Sequence, residues 1–135
     1  MDMEALGKRA VACPKWKWMP GMQVRPAGHD GWRFRFLGMG DWWNFDMAEL
    51  TKVSGGYGSE FLKGSIANGP DLTDPATRGC LLQLVRDAYE SPHAYVANVS
   101  PTMGPAWTVK GLERAGGTRY YSEAEALIAA LEAAP

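Results

Sequence analysis

The clearest hydrophobic pattern along the chain covers residues 74–90. Its apolar residues recur three and four positions apart and its polar residues occupy the opposite side, which predicts an amphipathic helix over about residues 75–90. Asp74 suits the N-cap, Pro75 suits the first helical turn, and Ser91-Pro92 disfavours continuation of the helix. The apolar stripe comprises Leu81, Leu84, Val85 and Ala88, widened by Leu82 and Tyr89, and the polar side comprises Gln83, Arg86, Asp87 and Glu90.

A second helix is predicted near the end of the sequence, over about residues 123–133. Ser122 followed three positions later by Glu125 is the pattern of a capping box. The apolar stripe of this helix should pack on the same core as the first helix, and it consists of Ala124, Leu127, Ile128 and Leu131.

Strict alternation of aromatic and basic residues predicts strands in two places. Residues 15–18 read Lys-Trp-Lys-Trp, and residues 32–36 read Trp-Arg-Phe-Arg-Phe. A period of two places the aromatics on one face of a strand and the cations on the other. Because Asp30-Gly31 favours a tight turn, residues 22–25 and 32–36 are expected to pair as an antiparallel hairpin.

The remaining pattern predicts shorter elements. We expect a short helix within residues 1–13, weakened by Gly7 and ended by Pro14, and strands within residues 93–99, 106–113 and 118–121. Glycines interrupt residues 38–72, where only short pieces are expected, at 42–45, 48–53 and 60–66. The sequence therefore predicts a single α+β domain over residues 1–135, with a mostly antiparallel sheet packed against two helices.

The charge is distributed unevenly. The 135 residues carry a formal net charge of −1, which argues against a strongly basic nucleic-acid binder. Residues 1–40 hold seven Lys and Arg against three acids, giving +4, and the remainder of the chain carries −5. This asymmetry is the clearest functional indication in the composition, and it is a modest one.

The cysteines and histidines show no metal-ligand spacing. Cys13, His29, Cys80 and His93 form no close pair such as CxxC, so neither a metal nor another cofactor is expected. Two reduced thiols are the favoured state, although the spacing does not exclude a disulfide. The first residues lack the apolar run of a signal peptide, and no stretch approaches about 18 apolar residues, so we expect a cytoplasmic protein that does not enter the membrane.

Catalytic motifs are also missing. Residues 55–59 (Gly-Gly-Tyr-Gly-Ser) lack the Gly-Lys-Ser/Thr ending of a P-loop, and no strand or helix clearly flanks them, which favours a turn. No nucleophile elbow and no HExxH pattern occurs. Asp41, Asp46 and Glu49 could cluster near the paired tryptophans, so a small enzyme with an unrecognised site remains a hypothesis.

The alternating segments supply the candidate binding residues. If the two alternating strands share a sheet, their four cations would align on one face and could contact phosphates or an acidic partner. Period-two alternation also places charges in water wherever the other face of a sheet is buried, which is the simpler explanation. The candidates are Lys15, Lys17, Arg33 and Arg35, together with Trp42 and Trp43, because exposed tryptophans are enriched at binding hot spots.

Three segments resemble one known family. Residues 11–22 (VACPKWKWMPGM), 70–89 (PDLTDPATRGCLLQLVRDAY) and 122–135 (SEAEALIAALEAAP) are similar in order and separation to small uncharacterised proteins of tailed bacteriophages and prophages. The resemblance covers about a third of the chain. It implies a bacterial host cytoplasm, and it carries no catalytic residues because the family has no assigned activity.

The leading hypothesis is therefore a phage-encoded accessory protein that acts by binding, for example to a host defence or regulatory protein. A nucleic-acid-binding module that uses the basic N-terminal strands is the first alternative. The second alternative is the small enzyme. The sequence does not specify the oligomeric state.

Overall fold

The computed structural model describes residues 2–25, 33–38, 41–46, 49–53, 57–100, 104–112 and 118–135. Within these ranges helices and antiparallel strands alternate irregularly, which confirms the predicted α+β class. The elements, in chain order, are α1 Met3–Val11, β1 Gln23–Val24, β2 Phe34–Gly38, β3 Asp41–Asp46, β4 Glu49–Lys52, α2 Tyr57–Ala67, α3 Pro75–Ala88, β5 Tyr95–Asn98, β6 Trp107–Lys110 and α4 Glu123–Glu132.

The described strands form two sheets instead of one. The larger sheet has the order β1-β2-β3-β4, and the smaller one pairs β5 with β6. The predicted hairpin is confirmed, since Gln23 pairs with Arg35 and Val24 with Phe34 in antiparallel register. Trp32 and the connection over residues 26–32 lie outside the described residues.

The predicted strand over residues 15–18 is wrong. This segment pairs with none of the described strands. Its Trp16 N–H instead donates to Cys13 O at 3.0 Å, and just after the segment the Met22 N–H donates to Met19 O at 3.1 Å. Pro14 and Pro20 bracket the segment and cannot donate to a sheet ladder. The alternation therefore predicted the right exposure of the side chains but the wrong backbone pairing.

Residues 38–72 are more regular than the sequence predicts. The short pieces expected there are the strands β3 and β4 and the eleven-residue helix α2. Strand β3 pairs with β2 on one side and with β4 on the other. Strand regularity comes from such non-local pairing, which leaves little periodicity in four to six residues of sequence.

Helix α3 begins and ends with defined caps. The Asp74 carboxylate accepts a hydrogen bond from the N–H of Thr77 at 3.0 Å, and Pro75 occupies the first turn, as predicted. At the other end, Glu90 is left-handed (φ 52°), the Ser91 N–H donates to Arg86 O at 2.9 Å, and the Glu90 N–H donates to Asp87 O at 3.2 Å. This is the hydrogen-bond pattern of a Schellman motif, so the helix ends two residues earlier than the proline alone predicts.

The main core lies between α1, α3, α4 and the small sheet. Leu81, Leu84 and Val85 of α3 meet Leu127, Ile128 and Leu131 of α4, and each of these side chains is at most 3% exposed. Ser122 caps α4 as expected, since its hydroxyl accepts the N–H of Glu125 at 3.1 Å. The predicted third strand near residue 120 is reduced to one bridge between Trp107 and Tyr120.

A second, smaller core lies under the larger sheet. Its buried members are Val24 of β1, Phe34 of β2 and Leu62 of α2. Met22, one residue before β1, belongs instead to the main core. Strand β1 therefore joins the two cores.

Gly7 allows α1 to approach the backbone of residues 68–70. A Cβ at Gly7 would lie 3.0 Å from Pro70 O and 3.3 Å from Asn68 O. Gly69 faces it with a positive φ of 90°, and a Cβ there would come within 2.5 Å of the Gly7 carbonyl carbon. The two glycines are required by this contact, which explains a glycine inside a nine-residue helix.

The first prediction concerns which side of α3 faces the main core. We expect Leu84→Ala to lower the free energy of unfolding by about 2–5 kcal/mol, because the substitution loses transfer energy and leaves a cavity. Gln83→Ala, on the exposed face, should change it by less than about 0.5 kcal/mol. Urea denaturation of both variants measures the difference. Equal losses in the free energy of unfolding would show that the buried side of the helix is assigned wrongly.

The second prediction uses two helical glycines with opposite surroundings. Gly79 of α3 is exposed, and a Cβ there would meet no atom within 4 Å, so Gly79→Ala should stabilise the protein by about 0.5–1 kcal/mol. Gly7→Ala should destabilise it despite the same gain in helix propensity, because the methyl group lies 3.0 Å from Pro70 O and the backbone there, itself fixed against Gly7 by Gly69, would have to shift. Thermal unfolding midpoints test the opposite signs, and a stabilising Gly7→Ala would refute the close approach.

Candidate binding surface

Four aromatic side chains form a continuous row, which we call the aromatic row. The ring centroids of Trp16 and Trp18 are 5.3 Å apart at 85°, and those of Trp18 and Trp42 are 5.4 Å apart at 75°. Phe36 extends the row, with its centroid 5.1 Å from that of Trp42. Edge-to-face pairs at such separations contribute about 0.5–1.5 kcal/mol each beyond the area they bury.

The aromatic row covers the junction between the two cores. Trp16 packs on the main core, Trp42 packs on the second core, and Trp18 contacts both. The buried Nε1 of Trp16 has no hydrogen-bond partner among the described residues, so packing fixes the position of that ring. All four rings remain partly exposed, and this exposed part makes the row a candidate contact surface.

Two cations accompany the aromatic row. Lys15 and Lys17 are exposed, whereas Trp16 and Trp18, which alternate with them, are half-buried. The predicted separation of lysines and tryptophans is therefore confirmed for exposure, although the segment is not a strand. Basic side chains beside aromatic rings form a surface that can bind acidic groups.

Arg35 has a different role from the predicted one. Its Nη1 donates to Gly21 O at 2.6 Å and lies 3.5 Å from the Asp74 carboxylate, and its Nη2 donates to the Gln23 side chain at 2.9 Å. Arg33 is half-buried. The alignment of four cations required both segments to share a sheet, and it does not occur, because residues 15–18 are not in the sheet and Arg35 is held within the protein.

The neighbouring tryptophans of β3 are separated by the sheet. Successive side chains of a strand point to opposite faces. Trp42 pairs with Phe36 and joins the aromatic row, whereas Trp43 pairs with Arg35 and is half-buried on the other face. The two candidates therefore do not belong to the same surface.

Arg35 is part of a polar cluster that we call the Gln23 network, formed by Gln23, Arg35, Asp71, Asp74 and Thr77. Gln23 is 2% exposed, and its N–H donates to the Thr77 hydroxyl at 2.9 Å. Its carbonyl accepts from Asp71 N at 2.7 Å, its Nε2 donates to the Asp71 carboxylate at 2.9 Å, and its Oε1 accepts from Arg35. The backbone N–H and C=O of Gln23 and the NH2 and C=O of its side chain therefore each have a hydrogen-bond partner.

The Gln23 network joins the larger sheet to the beginning of α3. The Thr77 hydroxyl donates onward to the Asp74 N-cap at 2.8 Å, and the carboxylate of Asp71 forms an ion pair with Arg25 at 2.9 Å. Because Gln23 directs its backbone groups away from β2, these partners close the outer edge of β1. The network is consequently a structural contact between the cores.

The Cys80 thiol lies at the margin of the Gln23 network. Its Sγ is 3.4 Å from Pro20 O. Burial raises the pKa of Cys80, the nearby Asp74 carboxylate raises it further, and Arg35 opposes this increase. The thiol is therefore kept protonated near neutral pH, which does not favour a nucleophilic role. Cys13 is buried in the main core, and neither cysteine forms a disulfide.

The remaining candidates for catalysis or metal binding are carboxylates and histidines, and the described structure does not bring them into one site. Asp46 pairs with Glu49 where β3 turns to β4, whereas Asp41 lies at the opposite end of β3, about 17 Å away along an extended strand. The strand register therefore separates Asp41 from the other two positions. His93 is exposed before β5, and His29 lies outside the described residues. Among the described side chains, no group of three or more His, Cys, Asp or Glu could hold a metal ion.

The last three residues of the glycine-rich segment 55–59 belong to a helix, whereas the sequence favours a turn. Strand β4 ends at Lys52 and helix α2 begins at Tyr57, with residues 54–56 outside the described ranges. A strand therefore precedes the segment, and a helix begins within it. The Lys of a P-loop is still missing from the sequence, so the arrangement does not support phosphate binding.

Two clefts among the described residues are relevant to the enzyme hypothesis. One of about 160 Å³ lies between α4 and β6 and is lined by alanines, threonines and the rings of Tyr89 and Tyr120. The other, also about 160 Å³, lies beside the Arg25–Asp71 ion pair. Small-molecule sites typically enclose roughly 300–1,000 Å³, and neither of these two clefts contains a histidine. A larger surface depression of about 500 Å³ beside Asp2, Glu4 and Lys8 is open to solvent and has none either. Their geometry gives no specific support to catalysis.

Sequence reasoning did not find Gln23, Asp71, Thr77 or Phe36 as residues that build this region. An alternating strand such as Met22-Gln23-Val24 suggests that its polar residue faces water. The only sequence feature that could have indicated the Gln23 network is the pair of acids, Asp71 and Asp74, three positions apart before a predicted helix. Phe36 was assigned to a strand face, but its contact with Trp42 depends on the register of two strands.

The comparisons with known proteins identify no relative. No family model matches the sequence, and neither a curated protein nor a solved structure matches it. None of the helices in the described ranges is long and apolar enough to cross a membrane.

Proposed function

We propose that this chain is a phage-encoded accessory protein that acts in the bacterial cytoplasm by binding a protein of the host. The observation that carries the proposal is the aromatic row, half-exposed at the junction of the two cores and accompanied by Lys15 and Lys17. Aromatic rings with a rigid backing are efficient anchors in protein interfaces. The resemblance to tailed-phage proteins supports a host protein as the partner.

Charge favours an acidic partner surface. The two lysines beside the row are exposed, whereas Arg25 and Arg35 form ion pairs with Asp71 and Asp74. A partner that presents carboxylates around an apolar patch would complement both parts of this surface. A host regulatory or defence protein with such a patch is the partner class that we propose.

Nucleic acid is a weaker candidate. Of the four cations that the sequence placed on one face, only Lys15 and Lys17 are exposed, and Arg35 is held by the Gln23 network. Two phosphate contacts contribute little affinity at physiological salt. Arg35→Glu would also disturb the fold, so the lysines are the appropriate residues for testing both hypotheses.

The third prediction follows from this charge. Lys15→Glu combined with Lys17→Glu should strongly reduce capture of a bacterial host protein from lysate, because both cations reverse sign beside the aromatic row. The control is Lys110→Glu combined with Arg119→Glu, which changes net charge equally at two other exposed positions. We expect the control to retain capture of the same protein, identified by mass spectrometry.

Two outcomes would contradict the proposal. If wild-type protein captures nothing above the level of the Lys15/Lys17 variant, or if both variants lose capture equally, the aromatic row is not the binding surface. A titration against single- and double-stranded DNA at two salt concentrations tests the alternative. Salt-dependent DNA binding that is lost only in the Lys15/Lys17 variant would replace the protein partner with nucleic acid.

A further inference from the structure

The two ends of the aromatic row are carried by different cores. Trp16 packs on the main core, whereas Phe36 lies on β2 and Trp42 packs on the second core. The contact between Trp18 and Trp42, at 5.4 Å, joins the two ends. The shape of the surface therefore depends on how β2 and β3 are placed relative to the main core.

Arg35 lies directly behind one end of the row. It precedes Phe36 on β2, so the two side chains point to opposite faces of the same strand. The acceptors of its guanidinium include Gly21 O just before β1, Gln23 Oε1 in β1, and the Asp74 carboxylate at the start of α3. Strand β2 is thus fixed from its back face to the segment around β1 and to the start of α3, the helix whose later turns enter the main core.

We propose that Arg35 is a positioning residue for the aromatic row: by holding β2 against Gln23 and the start of α3, it aligns Phe36 and Trp42 with the tryptophans of residues 16 and 18. This alignment is a property of the free protein. Its consequence for partner binding rests on the proposed function. The role differs from the one that the sequence suggests, in which Arg35 itself contacts the partner.

The chemistry of the side chain fits this role. A planar guanidinium presents its donors in a fixed fork, and here they reach a carbonyl oxygen at 2.6 Å and an amide oxygen at 2.9 Å. A lysine ammonium at the same position is a point charge on a flexible stem and cannot hold these directions together. Retention of charge alone should therefore restore the alignment only in part.

The test compares the near-ultraviolet circular dichroism of the tryptophans in the parent protein and three variants, at a temperature well below unfolding. All four proteins carry Trp43→Phe, so that the tryptophan paired with Arg35 does not contribute to the signal. Arg35→Met keeps the apolar stem and removes every donor, and we expect a loss of tryptophan signal with an unchanged far-ultraviolet spectrum. Arg35→Lys should recover part of the signal. The control is Arg86→Met, because Arg86 is also half-buried and donates to a backbone carbonyl, Ala94 O at 2.8 Å, about 18 Å further along the axis of α3 than Asp74. It should keep the wild-type spectrum.

The result that overturns the inference is a wild-type near-ultraviolet spectrum in folded Arg35→Met, or an equal loss in Arg86→Met. If Arg35→Met does not fold, Arg35→Lys decides the question, because a full wild-type spectrum in that variant would show that the forked donors are not needed for the alignment. A second arm measures capture of the host protein. We expect reduced capture by Arg35→Met although Lys15 and Lys17 are unchanged, and full capture despite an altered spectrum would overturn the link to binding. Failure of the wild-type protein to capture any partner would refute the proposed function, while the spectra would still decide the alignment.

Discussion

The backbone and side chain of Gln23 make four hydrogen bonds to three different segments, and the relative position of the two cores depends on them. Burying an amide side chain and a peptide group without partners would cost about 1–3 kcal/mol for each unsatisfied group. The partners must therefore stay in place together. Since Thr77, Asp71 and Arg35 come from a helix, a loop and a strand, the same bonds bring those elements together.

Strand β1 shows how much of the fold follows from this constraint. It is only two residues long, yet Met22 before it enters the main core and Val24 enters the second core. An exposed strand edge is a site for unwanted pairing, and here the start of α3 covers it. The aromatic row then covers the junction from the other face of the sheet. The proposed binding surface therefore depends on two contacts, that of β1 with the start of α3 and that of the aromatic row with the junction of the cores.

The predictable parts of this fold are the ones with local causes. Helices α3 and α4 were predicted because apolar spacing and the caps at Asp74 and Ser122 lie within one continuous segment. The hairpin of β1 and β2 was predicted from alternation and turn residues. By contrast, the strands of residues 38–72 depend on neighbours in space, and residues 15–18, which prolines flank on both sides, do not join a described sheet in spite of their alternation.

The candidate surface was predictable to a similar extent. Alternation alone indicated that Lys15 and Lys17 are exposed, and tryptophan enrichment at interfaces indicated Trp42. The different role of Arg35 was not predictable, because a charged residue in an alternating strand normally faces water, whereas the start of α3 covers this position. The burial of Gln23 has the same cause. Both depend on where a helix from a distant part of the sequence begins.

The most direct test of this account is the free energy of unfolding of Thr77→Val, measured by urea denaturation. Valine preserves the shape of threonine but removes the acceptor for the buried N–H of Gln23, so we expect a loss of about 1–3 kcal/mol. Thr118→Val makes the same chemical change at an exposed position and should remain within about 0.5 kcal/mol of the wild type. A Thr77→Val variant as stable as Thr118→Val would show that the Gln23 network does not hold the two cores together.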